Sequence, residues 1–430
     1  MFMRKKKTFI LECPTLFKKK LLFYLDKRSR FCFLDSNNNY NKYSSFDYLA
    51  AFGVKKKISP EKNIFGSFKS FLDRNKDWVF GHFSYDLKNE LENLNSLNKD
   101  SFEFKKLNFF IPFYIFKVKN RTLTIIYDSS KSNISSLYNK IINEEEPKKI
   151  NHKFKVQPTI TKKKYLSIIS LIKEHIQKGD IYEMNFCQEF NVKFNDLSPA
   201  QLFNKLNTYT GSPFASFYKV NNKYCLCSSP ERYIRNKNNK VISQPIKGTE
   251  SRGSTIESDK KNKKKLMNSQ KDFSENVMIV DLVRNDLSIT AKKNTVKVEE
   301  LAKLYSYKNV HHLISTISSK INSNFHPLDV IKYSFPMGSM TGAPKLKSME
   351  LIEKYENVKR GLYSGSIGYF TPELDFDFNV VIRSLLYNQK SNYLSFIVGG
   401  AITIESDPDN EYEECLIKAK SILNVLEDEK

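Results

Sequence analysis

The sequence predicts an α+β protein, and three observations carry that prediction. Short apolar runs of strand length come first, among them Phe31-Cys32-Phe33-Leu34 and Leu123-Thr124-Ile125-Ile126-Tyr127. An amphipathic stretch follows in which Tyr165, Ile168, Ile169, Ile172 and Ile176 recur at helical spacing. Beyond it, strand and helix signals mix without the regular β-α-β alternation of a doubly wound sheet.

The 430 residues allow two domains. The best boundary is 143–158, where Glu144-Glu145-Glu146-Pro147-Lys148-Lys149 is charged and broken by proline. It divides an N-terminal region, 1–150, from a larger part, 158–430. With 40% hydrophobic and 27% charged residues, the chain is globular rather than disordered. The first 25 residues are basic but interrupted by Glu12 and Pro14, which makes a poor signal peptide. No later run approaches the roughly 18 apolar residues of a membrane span. The six cysteines, Cys13, Cys32, Cys187, Cys225, Cys227 and Cys415, form no C-x-x-C pair. Together these features predict a reduced, cytoplasmic protein.

The formal charge is +23. Such a surplus raises the possibility of nucleic-acid binding. However, the lysines are spread along the chain, as in Lys260-Lys261-Asn262-Lys263-Lys264-Lys265, and form no single basic arm. The reading favoured is compositional drift, with no nucleic-acid partner.

In chain order, Thr161 is placed to cap the amphipathic helix and Gly179 to end it. A strand-like run spans 180–194. A hairpin follows, with 224–235 as one strand, a turn near Asn238-Asn239 and 241–247 returning. That register sets Glu231 roughly opposite Lys247. The pair reads either as a cross-strand ion pair worth under about 1 kcal/mol or as a general acid beside a nucleophilic lysine.

The stretch 271–287 is apolar in its middle yet carries Glu275, Asp281, Arg284, Asn285 and Asp286. Buried polar groups of this kind need partners or a metal. For Asp281 and Arg284 a structural ion-pair network is the preferred reading. In 335–355, Gly338, Ser339, Thr341 and Gly342 make a hydroxyl-rich turn, and Pro344 suits the first position of a helix. The helix start offers an anion site better matched to a carboxylate than to a nucleotide phosphate, since no P-loop spacing is present. An ordinary capped turn is the alternative.

Near the C-terminus, Asp407 is a good N-cap, and Glu411, Glu414 and Lys418 share one helical face. The acids could simply complement the helix dipole. They could also hold Mg²⁺, with Glu275 supplying a further oxygen. Arg383, within the apolar run 378–387, suggests a carboxylate contact or a buried ion pair. Gly399-Gly400, inside a strand-like run, suggests close approach of backbone to a ligand.

In their order and spacing these segments resemble the chorismate-utilising enzymes, in particular the large subunits of anthranilate synthase and 4-amino-4-deoxychorismate synthase. The matching stretches are Gly179-Asp180-Ile181-Tyr182, Ser229-Pro230-Glu231-Arg232, Pro245-Ile246-Lys247-Gly248-Thr249 and Glu275 through Asp286. They continue through His312-Leu313-Ile314-Ser315-Thr316, 338–345, Tyr363-Ser364-Gly365, Ile382-Arg383 and 406–418. The resemblance covers nearly all of 160–425. It weakens in the N-terminal part, where only Tyr85-Asp86-Leu87 and Leu34-Asp35-Ser36 match.

The resemblance implies a fold of large antiparallel sheets packed with helices, chorismate as substrate and Mg²⁺ as cofactor. Glu275 and Glu414 would bind the metal, and Glu411 would hold a metal water. Arg383, Tyr363 and the backbone of Gly399, Gly400 and Ala401 would hold substrate oxygens. Lys418 would add a positive charge, Thr249 would lie on the substrate side, His312 near the ring, and Glu231 would protonate the leaving C4 hydroxyl.

Lys247 stands where aminodeoxychorismate synthases typically carry lysine and anthranilate synthases alanine. That favours amination at C4, on the route to 4-aminobenzoate and folate, over anthranilate formation. Three positions depart from the pattern. Glu183 replaces a usual glutamine, Ala401 a common third glycine and Met337 another glycine. No cysteine sits in a glycine-rich nucleophile turn, so the resemblance implies ammonia from solution or from a separate glutamine amidotransferase subunit.

Overall fold

A computed structural model describes residues 4–39, 42–147 and 154–427. Its named strands pair antiparallel throughout. One run of pairing starts at Arg4–Ile10 and passes through Thr122–Asp128, Leu107–Lys119, Tyr48–Ile58, Arg30–Asp35 and Phe214–Val220. It continues through Lys223–Ser229, Ser384–Asn388 and Tyr393–Ile402 to Glu183–Lys193. A second run leaves Leu107–Lys119 through Val79–Phe83, Ser366–Phe370 and Phe376–Asn379. It reaches Arg232–Lys237, Lys240–Gln244 and Val310–Lys320.

Strands from either side of the predicted boundary are thus hydrogen-bonded together. Arg30–Asp35 pairs with Phe214–Val220, and Val79–Phe83 with Ser366–Phe370. Residues 148–153 of that boundary lie outside the described residues.

Alternation along the strands feeds two cores. Phe31, Phe33, Ala50 and Phe52 point to one, while Cys32, Leu34, Leu49 and Ala51 point to the other. The first core is covered by the helices Pro14–Asp26, Lys162–Gln177, Pro199–Thr210 and Pro408–Leu426. The second gathers Phe68, Phe83, Phe109, Phe370 and Phe378, with Phe68 stacked on Phe109 at 4.5 Å. Burial on both faces is why these strands read as continuous apolar runs rather than as alternating ones.

Local signals are realised where chemistry forces them. Thr161 accepts a hydrogen bond from the Lys164 N–H and starts the helix Lys162–Gln177, and Gly179 follows it at φ +81°. The hairpin turn falls on Asn238 and Asn239, both left-handed at φ +52° and +60°. Asp407 caps Pro408–Leu426 by accepting from the Asn410 N–H at 3.0 Å.

Four expectations are corrected. The first hairpin strand is broken at Pro230 into Lys223–Ser229 and Arg232–Lys237, because proline cannot donate to the ladder. Arg383 lies between strands rather than inside one, at φ +52°. Pro344 is the residue before the helix Lys345–Tyr355 rather than its first member. Asp281 and Arg284 form an exposed pair at 2.6 Å on the outer face of the helix Gln270–Ser288, not a buried network. Among the described residues no helix is long and apolar enough to cross a membrane.

Candidate active site

A cleft lies where the helices Gln270–Ser288 and Pro408–Leu426 meet the strands Ile246–Ser251 and Tyr393–Ile402. Lys247 reaches it from Ile246–Ser251, followed by a register shift at Gly248, whose φ of +83° suits glycine. With the bulge there, Lys247 and Thr249 both line the cleft.

The Lys247 ammonium lies 2.5 Å from Glu183 Oε1 and 3.7 Å from Glu275 Oε2. Burial alone would pull its pKa down, but the two carboxylates outweigh burial and raise it. Lys247 and Glu231 line the same cleft without forming the ion pair the hairpin register suggested. The strand carrying Lys247 pairs with Val310–Lys320 instead, and its ammonium turns to Glu183.

Glu231 follows the bend at Pro230, where Ser229 Oγ accepts from the Glu231 N–H at 3.1 Å. Its carboxylate is buried and accepts a hydrogen bond from Ser339 Oγ at 2.7 Å. Burial pushes its pKa up to about 7, against the opposing pull of Ser339 and the Lys247 charge. A proton is therefore available on this group near neutrality.

His312 faces Thr249 across the two strands, with Thr249 Oγ1 2.9 Å from His312 Nδ1. Burial lowers the imidazole to about 3, so it is neutral at pH 7. Its Nε2 is buried without a partner. Arg383 is the other unmatched group. Among the described residues no carboxylate pairs with its guanidinium, whereas Arg232 and Arg360 each have one. Burial lowers its pKa as well. A desolvated guanidinium aimed into a cleft is a site for an anion. Tyr363 stands beside it, its hydroxyl 3.6 Å from Cys187 Sγ.

The acidic residues converge from two helices. Lys271 Nζ lies 2.7 Å from Glu411 Oε1, 3.5 Å from Glu414 Oε2 and 3.9 Å from Glu275 Oε1. Lys418 holds Glu414 at 2.7 Å and donates to the Gly399 carbonyl at 3.1 Å. Lys418 and then Lys271, against burial, lower Glu414 to about 2, while burial raises Glu275 to about 7. Among the described residues no group of three His, Cys, Asp or Glu side chains is arranged to hold a metal ion as it stands. Three carboxylates already surround one cationic group, however, and Glu411 Oε2 is buried with no partner. A Cβ built on Gly400 would sit 3.4 Å from that same oxygen. The donor set is of the kind a hard divalent cation takes, at the place now held by the Lys271 ammonium.

Gly399 has a different reason to be glycine. A Cβ there would lie 2.1 Å from the Phe186 carbonyl of the neighbouring strand. Gly399, Ala401, Glu275, Glu414 and Lys418 line the cleft, whereas Glu411 and Gly400 lie outside its lining. The start of the helix Lys345–Tyr355 does not line it either. Lys345 is paired there with Asp286 at 2.7 Å, and only Ser339 and Met340 of the preceding turn reach the cleft.

The model of the chorismate binding enzyme family matches residues 28–424. The chain belongs to the chorismate-binding enzymes. Among curated relatives, it is 36% identical over 313 residues to the chloroplastic aminodeoxychorismate synthase of Arabidopsis thaliana, covering 72% of this chain and 32% of that one. It is 33% identical over 267 residues to anthranilate synthase component 1 of Aquifex aeolicus, covering 62% of this chain and 53% of that one. The chain thus spans about a third to a half of the length of these relatives. Anthranilate synthase component I from Streptococcus pneumoniae shares the fold, with a TM-score of 0.75 and 22% identity over 90% of this chain and 94% of that one.

Lys271 and Glu183, to which sequence reasoning gave no site role, and Ser339, for which it suggested a different one, all take part in the site. Lys271 stands four residues before Glu275 on one helix, a spacing that could have flagged it. Ser339 serves Glu231 rather than an external anion. Glu183 stood out only as an unusual residue, and its contact with Lys247 crosses 64 positions that no local pattern connects.

Proposed function

We propose that this chain is the large subunit of an aminodeoxychorismate synthase, converting chorismate and ammonia to 4-amino-4-deoxychorismate. The observation that carries the reading is Lys247, which lines the cleft that also holds Glu231 and Arg383. Anthranilate formation needs no lysine there.

Arg383 and Tyr363 hold the substrate's anionic oxygens, and the Gly399 and Ala401 backbone shapes the wall behind them. Glu275 and Glu414 would hold Mg²⁺ and Glu411 a metal water, and the ion would supply positive charge for the ring carboxylate. Lys247 rests as an ammonium, so it passes a proton to Glu183 Oε1, the carboxylate in contact with it. The freed amine attacks C2. The ring double bonds shift and the C4–O bond breaks, while Glu231 protonates the departing hydroxyl to water. Ammonia then adds at C4, the double bonds return, and the C2–N bond breaks to release Lys247 as the amine. The new C4 ammonium yields a proton to Glu231, and Glu183 returns its own to Lys247. His312, neutral and fixed by Thr249, packs beside the ring and offers Nε2 to the substrate. Ammonia comes from a separate glutamine amidotransferase, and the enzyme works without a nucleic acid or membrane partner in the cytoplasm.

Lys247→Ala tests this reading. Formation of the aminated product should fall by at least about a thousandfold, with circular dichroism unchanged. Unaltered turnover would reduce the lysine to the ion-pair partner of Glu183.

A further inference from the structure

Acidic and basic side chains alternate in and beside the cleft. The carboxylates of Glu183, Glu275, Glu411 and Glu414 interleave with the ammonium groups of Lys247, Lys271 and Lys418. Lys271 and Lys418 both lie against Glu411 or Glu414. Lys247 stands between the two remaining acids, at 2.5 Å from Glu183 and 3.7 Å from Glu275.

We propose that Glu183 is a positioning residue for the metal site: by taking the charge of Lys247 it leaves Glu275 free to ligate Mg²⁺. The inference rests on the reading of Glu275 and Glu414 as metal ligands. Four observations support it. The side chains of Glu183 and Lys247 are 1% and 8% exposed, so water does not screen their attraction. Glu183 is anchored by its backbone, its carbonyl accepting from Ser348 Oγ at 3.2 Å and its strand pairing with Gly342-Ala343. In the absence of Glu183, the nearest acid to the Lys247 ammonium is Glu275. An ammonium drawn onto a ligand carboxylate competes directly with a cation for its oxygens. Glu183 Oε2, buried and without a partner, leaves this carboxylate with no other group to serve.

Isothermal titration of the full chain with MgCl₂ alone tests the inference without any turnover. Glu183→Gln should weaken Mg²⁺ binding by about tenfold or more. The double variant Glu183→Gln/Lys247→Met removes both charges of the pair and keeps the net charge of the site. It should restore affinity to within about threefold of the parent chain. Lys247→Met alone should bind Mg²⁺ at least as tightly as the parent, and it decides the matter if Glu183→Gln does not fold. Equal binding by Glu183→Gln and the parent would overturn the inference. So would a double variant as weak as the single one, which would make Glu183 a packing residue, or weaker binding by Lys247→Met. A parent chain that binds no Mg²⁺ would instead sink the metal reading itself, and the two failures are therefore distinguishable.

Discussion

Glu231 shows how a single environment sets a chemical role. Burial raises its pKa to about 7, and the hydrogen bond from Ser339 and the charge of Lys247 only partly oppose that. A general acid must carry its proton, so turnover should fall about tenfold per unit above about pH 7. Glu231→Gln should remove that limb and lower kcat by about 10²–10⁴. A pH–rate profile of both proteins checks this, and a limb that persists in the variant would assign it to another group. Arg383 is held at φ +52°, a conformation that costs a non-glycine residue about 1–3 kcal/mol. Arg383→Lys should raise the KM for chorismate at least about tenfold while kcat falls less, because an ammonium cannot make the bidentate contact.

At this scale the sequence was most informative where a charge interrupts apolar surroundings. Lys247, Glu231, Glu275, Arg383 and Glu414 all lie in the cleft. It was least informative about what each charge touches. Lys271 meets Glu411 across 140 positions and Lys247 meets Glu183 across 64, distances over which only the fold brings side chains together.

Among the elements, the start of the helix Pro408–Leu426 and its acidic face were legible, since Asp407, Pro408 and the spacing of Glu411, Glu414 and Lys418 are local features. Asp407→Ala should cost about 1 kcal/mol in urea unfolding, the usual loss on removing a helix cap. The glycine strand was legible as unusual but not in its reason. Gly399 answers to the Phe186 carbonyl and Gly400 to the carboxylate cluster. Gly399→Ala should therefore destabilise the fold by about 1–3 kcal/mol, whereas Gly400→Ala should spare stability and weaken Mg²⁺ binding. Equal losses of stability from both would contradict this assignment. The break between Asn379 and Ser384 was not legible, because Val380-Val381-Ile382 has the composition of a strand interior.

For the whole molecule, the α+β class followed from the mixture of periods, and the helix-covered antiparallel sheet from the resemblance. Pairing between distant strands did not follow from either, because register is set by long-range packing. The consequence is testable. Residues 158–427 alone would leave Phe214–Val220 and Ser366–Phe370 without their partners Arg30–Asp35 and Val79–Phe83. That fragment should show no cooperative unfolding transition, and a fragment as stable as the full chain would contradict the shared sheet. Among the described residues the surplus of lysine enters the site through Lys247, Lys271 and Lys418, each held by a carboxylate. Elsewhere some lysines pair at the surface, as Lys105 does with Glu61, and a few pair in the interior, as Lys88 does with Glu353.

The most direct measurement is the product formed when the full chain is given chorismate, Mg²⁺ and an ammonium salt. Mass spectrometry should find 4-amino-4-deoxychorismate with the enolpyruvyl group retained and no pyruvate released. Anthranilate accompanied by pyruvate would contradict the account and would leave Lys247 without the role assigned to it.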